Sequence, residues 1–209
     1  MNDIIRFHVP CKMEFTKLVE DFSDLIAAQL NIQSNSQFGS KLRTVMNEVF
    51  INIVKHSNTA ANNEVVRFQF ELGIKYFTIS VYDYGPGFEA DSKLPPYPDK
   101  LVGKQYKLRD VLDGKVSFVI VDPFSISFRF DEKEDVNLDF LDELDNVDEN
   151  GRGISIITKL MDSVTYSYIG EGKFDWKLIK KIAWNHLIKT NFLINLPLYF
   201  ESRIFFAVK

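Results

Sequence analysis

The 209-residue sequence predicts an α+β fold of two layers, a mixed but mostly antiparallel sheet with helices on one face. Three observations predict it. Apolar residues recur at helical spacing in three separate stretches, within residues 15–30, 42–54 and 154–161. Two runs rich in β-branched and aromatic residues, 65–72 and 76–82, are separated only by residues 73–75 and read as a hairpin. Two further strand-like runs, 163–168 and 174–182, follow the last helical stretch.

Taken in chain order, residues 4–9 form the first expected strand, and residues 15–30 an amphipathic helix with Leu18, Phe22, Leu25 and Ile26 on one side. The next helix carries Leu42, Val45, Met46, Val49, Ile53 and Val54 at helical spacing. On it Glu48 and Asn52 stand one turn apart, so both side chains reach one ligand. A carboxylate can serve as a general base, and an amide oxygen is a hard neutral ligand suited to magnesium. Lys55 and His56 follow a turn later and can face anionic phosphate oxygens. The same residues also suit the solvated polar face of an amphipathic helix.

The hairpin ends in DYGPGF, with Asp83 at the end of a strand and Gly85 and Gly87 just after it. A carboxylate in that place can accept from the exocyclic amine of adenine, and the glycines let backbone approach a base with no side chain between. An ordinary Asp/Gly/Pro turn has the same composition, and Pro86 fits either. Further on, Gly151, Arg152 and Gly153 open the helical run Ile154, Ile156, Ile157, Leu160 and Met161. Glycines ahead of a helix leave its backbone N–H groups and positive dipole end free for phosphate, and Arg152 adds a charge. A plain capped helix start also reads this way. No Walker-type phosphate loop, Gly-x-x-x-x-Gly-Lys-Ser/Thr, is present in the sequence.

In this order the three segments resemble the boxes of the GHKL ATPases, which share the Bergerat ATP-binding fold: Glu48, Asn52, Lys55 and His56 as the N box, Asp83, Gly85 and Gly87 as the G1 box, Gly151 and Gly153 as the G2 box. Within that group the patterns are most similar to bacterial anti-sigma-factor serine kinases, including the Leu160-Met161-Asp162 ending. The resemblance implies ATP and magnesium as ligands, with Asn52 on the metal, Asp83 on adenine and Glu48 as catalytic base. It further implies a STAS-domain anti-anti-sigma protein as phosphate acceptor, a sigma factor as competing partner, and a homodimer. Two other readings share these boxes: an ATP-binding module that sequesters a partner without phosphotransfer, and the catalytic domain of a histidine kinase. For the latter the sequence has no acceptor-bearing helical segment, and His8 lies in an expected strand.

The resemblance covers residues 1–182 as one domain, with an insertion at about 93–147 where the family carries the lid over ATP, and leaves 183–209 as a C-terminal extension. A structureless loop of that length is improbable, and residues 116–121 and 125–130, joined at Asp122-Pro123, read as an extra hairpin. Residues 131–149 are dominated by Asp and Glu, with Lys133 the sole basic residue, as in a solvated connection or an acidic surface for a basic partner. Two positions depart from the family pattern. Val49 and Ile53 stand where small residues are common, and no Thr occupies the strand near Phe174.

Composition limits the remaining choices. A net charge of -4 without a basic, aromatic-interleaved cluster speaks against nucleic acid as partner. The single Cys11 has no internal disulfide partner, which suits a reduced, cytoplasmic protein and strand-end packing. The three His residues lack zinc spacing, and Asp3 and Arg6 interrupt any leader-like apolar run. The apolar stretch after Asn185 is broken by Pro197, Glu201 and Arg203 and fails as a membrane span. Nineteen Phe supply large apolar side chains for a core.

Overall fold

The computed structural model describes residues 3–29, 36–73, 75–111, 113–133 and 152–181. Its strands are β1 (Asp3–Pro10), β2 (Val65–Leu72), β3 (Tyr76–Asp83), β4 (Gln105–Val111), β5 (Gly114–Asp122), β6 (Ser125–Glu132), β7 (Ser163–Gly170) and β8 (Lys173–Lys181). Its helices are α1 (Thr16–Gln29), α2 (Ser36–His56) and α3 (Arg152–Leu160). The strands form one sheet in the order β1-β2-β3-β8-β7-β6-β5-β4. Every ladder among them is antiparallel, so the sheet is not mixed within the described residues. The physical reason is connectivity: β2–β3, β4–β5, β5–β6 and β7–β8 are each joined by tight turns, which only antiparallel neighbours permit.

Residues directly opposite in adjacent strands share a face. One such row runs Phe7, Phe68, Val81, Trp176, Tyr166, Ile126 and Ile120, and the next runs Ile5, Phe70, Ile79, Leu178 and Val164. This face is the core, and the helices cover it: Phe22 of α1 stacks on Phe7 at 4.1 Å, and Phe50 of α2 lies 6.5 Å from Phe68. The opposite face carries Arg6, Gln69, Ser80, Lys177 and Thr165 in one row, with Arg6 Nε donating to Gln69 Oε1 at 3.1 Å. Two layers, helices on one face, follow from that alternation.

The expected face of α1 is rotated. Val19, Ser23 and Ile26 are buried with Phe22 packed beside them, whereas Leu18 and Leu25 are exposed. Val19, Phe22, Ser23 and Ile26 form the tighter i, i+3, i+4, i+7 stripe, and Ser23 is tolerated inside because its hydroxyl donates to the Val19 carbonyl at 2.7 Å. In α2 the apolar set read from the sequence is buried or packed on the core, joined by the fully buried Phe50.

The described part of the insertion is continuous with the sheet. The extra hairpin is present as β5 and β6, its turn closed by Phe124 N donating to Asp122 Oδ1 at 2.8 Å. Strand β6 then pairs with β7. The strand β4 was not foreseen, because Lys107, Arg109 and Asp110 interrupt any apolar alternation; as an edge strand it needs none. Residues 134–149, most of the acidic run, and 182–209, with the C-terminal extension, lie outside the described residues. No helix among the described residues is long and apolar enough to cross a membrane.

Candidate functional site

Helix α2 ends with Lys55 and His56 in its last turn, both exposed, where basic side chains complement the negative end of the helix dipole. Glu48 and Asn52 are half-buried on the face turned toward α3. Burial lifts the Glu48 carboxyl above its ordinary value, and the positive charge of Lys55 opposes that lift. Gly153, in the first turn of α3, sits directly over the pair. A Cβ there would stand 2.7 Å from Glu48 Oε2, 2.9 Å from Asn52 Nδ2 and 3.2 Å from Asn52 Oδ1. A side chain there would push the Glu48 carboxylate and Asn52 amide aside, so the G2 glycine lets the start of α3 meet them where they stand.

The Asn52 Nδ2 group is buried and has no hydrogen-bond partner. A buried donor left unpaired costs about 1–3 kcal/mol, and a ligand oxygen relieves that cost. Among the described residues no cluster of three His, Cys, Asp or Glu is available to cage a metal. Magnesium, which takes one or two protein oxygens and completes its shell with phosphate and water, would have the Asn52 amide oxygen as its ligand here. The residues at this end therefore fit a phosphate chain with its cation. Gly151 and the Arg152 side chain lie outside the described residues.

Asp83 closes β3 and is 4% exposed. Its Oδ1 accepts from Tyr166 O–H at 3.2 Å and from Gly85 N at 3.3 Å. Burial pushes the carboxyl up to about 6, against the hydrogen bonds of Tyr166, Gly85 and Trp176, which favour the ionised form. Gly85 is in contact with the Tyr166 hydroxyl, which occupies the space a Cβ would need. Gly87 has φ +77°, and a Cβ there would lie 3.2 Å from Phe174 Cζ, so both glycines are required by close approach.

Three aromatic residues around Asp83 were not foreseen as part of the site. Phe174 is its direct cross-strand partner, in the strand where the family pattern places Thr. Tyr166 stacks on Phe174 with ring centroids 4.6 Å apart and planes 3° apart, and Trp176 lies 4.6 Å from Tyr166. Phe88, the last residue of the G1 segment, meets Tyr166 edge-on at 5.5 Å. Alternation alone indicates that Tyr166, Phe174 and Trp176 face one side; it does not reveal that β8 lies against β3. Thr59 was also missed. Its buried hydroxyl accepts from Tyr84 N at 3.1 Å and from Ser57 Oγ at 2.8 Å, while Asn58 N donates to the Tyr84 carbonyl at 2.8 Å. These bonds tie the end of α2 to the turn after Asp83. The signal was Ser57-x-Thr59, a hydroxyl pair at a helix end.

Cys11 is buried, and burial raises its thiol above the ordinary value, in keeping with a packing role.

An antiparallel sheet covered on one face, a carboxylate and amide beneath a glycine at a helix start, and a buried strand-end aspartate define a nucleotide-site architecture. The family model described as histidine kinase-like ATPase domain matches residues 18–174, well over half of the 209-residue chain. The chain belongs to the histidine kinase-like ATPase family, whose domain implies ATP binding and ATPase- or kinase-type activity. No curated protein matches it significantly.

Proposed function

We propose that this protein is an ATP-dependent serine protein kinase of the partner-switching type, a cytoplasmic anti-sigma regulator whose acceptor is a STAS-domain anti-anti-sigma protein. The observation that carries the reading is the convergence of Glu48 and Asn52 under Gly153. A base carboxylate and a neutral amide at the phosphate end are what transfer to a hydroxyl requires. Glu48 takes the proton of the acceptor serine as its oxygen bonds to the γ-phosphorus, and the bond to the bridging oxygen breaks to release ADP. The raised carboxyl of Glu48 makes it a better base than an exposed glutamate. Asn52 would hold magnesium, which when bound neutralises charge on the phosphate oxygens. Lys55 and His56 add positive charge at the same end of α2. Asp83 accepts from the adenine amine. A homodimer that binds either a sigma factor or the unphosphorylated antagonist completes the switch.

A second reading has one specific observation in its favour. Tyr166 already holds Asp83, which suits a module that sequesters a partner with little use of nucleotide. The two readings part on phosphotransfer. Purified protein incubated with labelled ATP, magnesium and STAS-domain proteins is expected to label a serine, and Glu48→Gln to retain ATP binding while labelling falls about 100-fold or more. If the wild type binds ATP and labels no STAS protein, the sequestration reading replaces the kinase.

A further inference from the structure

We propose that Tyr166 is an intramolecular occupant of the base pocket, an affinity-determining latch that adenine must displace to reach Asp83. This rests on the nucleotide-site reading above and adds to it a residue outside the three segments that define that site. The phenol reproduces the features by which a purine is recognised. It presents a planar π face, stacked on Phe174 at 4.6 Å, and a polar hydrogen aimed at the same carboxylate oxygen that Gly85 N addresses. Its hydroxyl fills the clearance left by Gly85, the glycine read from the sequence as room for a base. The ring is 4% exposed and flanked by Trp176 and Phe88, so ring and base cannot share the space.

The arrangement separates the two ends of the site. Asn52 Nδ2 is unpartnered at the phosphate end, whereas Asp83 at the base end is already satisfied. The phosphate-end amide thus has an unused donor to give a ligand, whereas base contacts form only when the Tyr166 hydrogen bond and stack are given up. A ligand that must displace an internal competitor binds with its affinity reduced by the fraction of molecules in the open state.

The test is calorimetric titration of the full chain with ATP and with inorganic tripolyphosphate, each with magnesium, on wild type, Tyr166→Phe and Tyr166→Ser. Wild type is expected to bind the two ligands with dissociation constants within about threefold of one another, because the base gains little net. Tyr166→Phe, which keeps the stack and removes the hydroxyl, is expected to bind ATP about tenfold more tightly, with tripolyphosphate unchanged, in line with loss of one hydrogen bond to a charged group. Tyr166→Ser, checked for folding by circular dichroism, is expected to gain more, and adding Asp83→Asn to reverse the gain. Folded Tyr166→Phe with unchanged or weaker ATP affinity overturns the latch while leaving the nucleotide site intact. Absence of binding by either ligand to all variants overturns the site reading, and the latch with it.

Discussion

At the residue scale, Asp83 links site chemistry to stability. Its carboxyl is raised from 3.8 to about 6 by burial, so the folded protein holds that proton more tightly than the unfolded chain does. The contribution to stability is fully present below about pH 4 and is lost as pH rises through about 6. At 1.36 kcal/mol per unit, the full effect is about 3 kcal/mol. Asp175 on the opposite face, with a buried oxygen lacking a partner, is also pushed up to about 6 by burial and acts in the same sense. Asp175 is present in both Asp83→Asn and wild type, so their comparison reads Asp83 together with its repulsion from Asp175. The variant is expected to gain on wild type by up to about 3 kcal/mol between pH 4 and pH 7.5 in urea unfolding, and a difference that does not change with pH would contradict the assignment. The identity of Asp83, Gly85 and Gly87 was legible in the sequence, since strand, carboxylate and glycines are local. The tyrosine on the carboxylate was not, because Tyr166 arrives from a strand more than eighty residues away.

At the element scale, the strands inserted between the G1 and G2 segments are structural partners of the site. Phe118 of β5 is 2% exposed and lies 5.9 Å from Phe88, while Phe128 of β6 stacks on Trp176 at 5.5 Å. Helix α3 is pinned to the same strands: Lys159 pairs with Asp113 and lies 4.3 Å over the Phe130 ring. Phe118→Ala is therefore expected to cost about 3–5 kcal/mol, the range for a buried Phe, with one cooperative urea transition. A separately hinged insertion would instead leave the main transition in place. The hairpin was readable from its turn at Asp122 and its β-branched runs. Its docking was not, because the choice between folding over the site and extending the sheet depends on whether β7 has a free edge.

At the scale of the whole molecule, β8 and β7 are the central pair, flanked by β3 and β6, and β1 and β4 are the edges. Asp83 and Phe174 sit opposite one another at the ends of the adjoining interior strands β3 and β8, so the base end of the site rests on strands paired on both sides. The edge strand β4 carries Lys107, Arg109 and Asp110, charges that discourage pairing with another chain. Hydrogen exchange read by mass spectrometry is expected to find the β3 and β8 amides exchanging only through global unfolding and those of β4 at least 100-fold faster. Comparable protection in β4 and β3 would show that the edge is covered.

The sequence by itself determined what depends on neighbours along the chain: the periods of the helices, the hairpins, and a carboxylate and amide one turn apart with glycines at a strand end and a helix start. It also carried the family, because those local patterns recur in a fixed order. Tertiary structure alone decided which face of α1 turns inward, that Gly153 lies on Glu48 and Asn52, and that Tyr166 reaches Asp83. The first rests on α1 packing against β1 and β2, the second on α3 meeting α2, and the third on the joining of β3 to β8, all contacts between segments apart in the chain. Periodicity reports which residues share a face; only packing reports what that face meets.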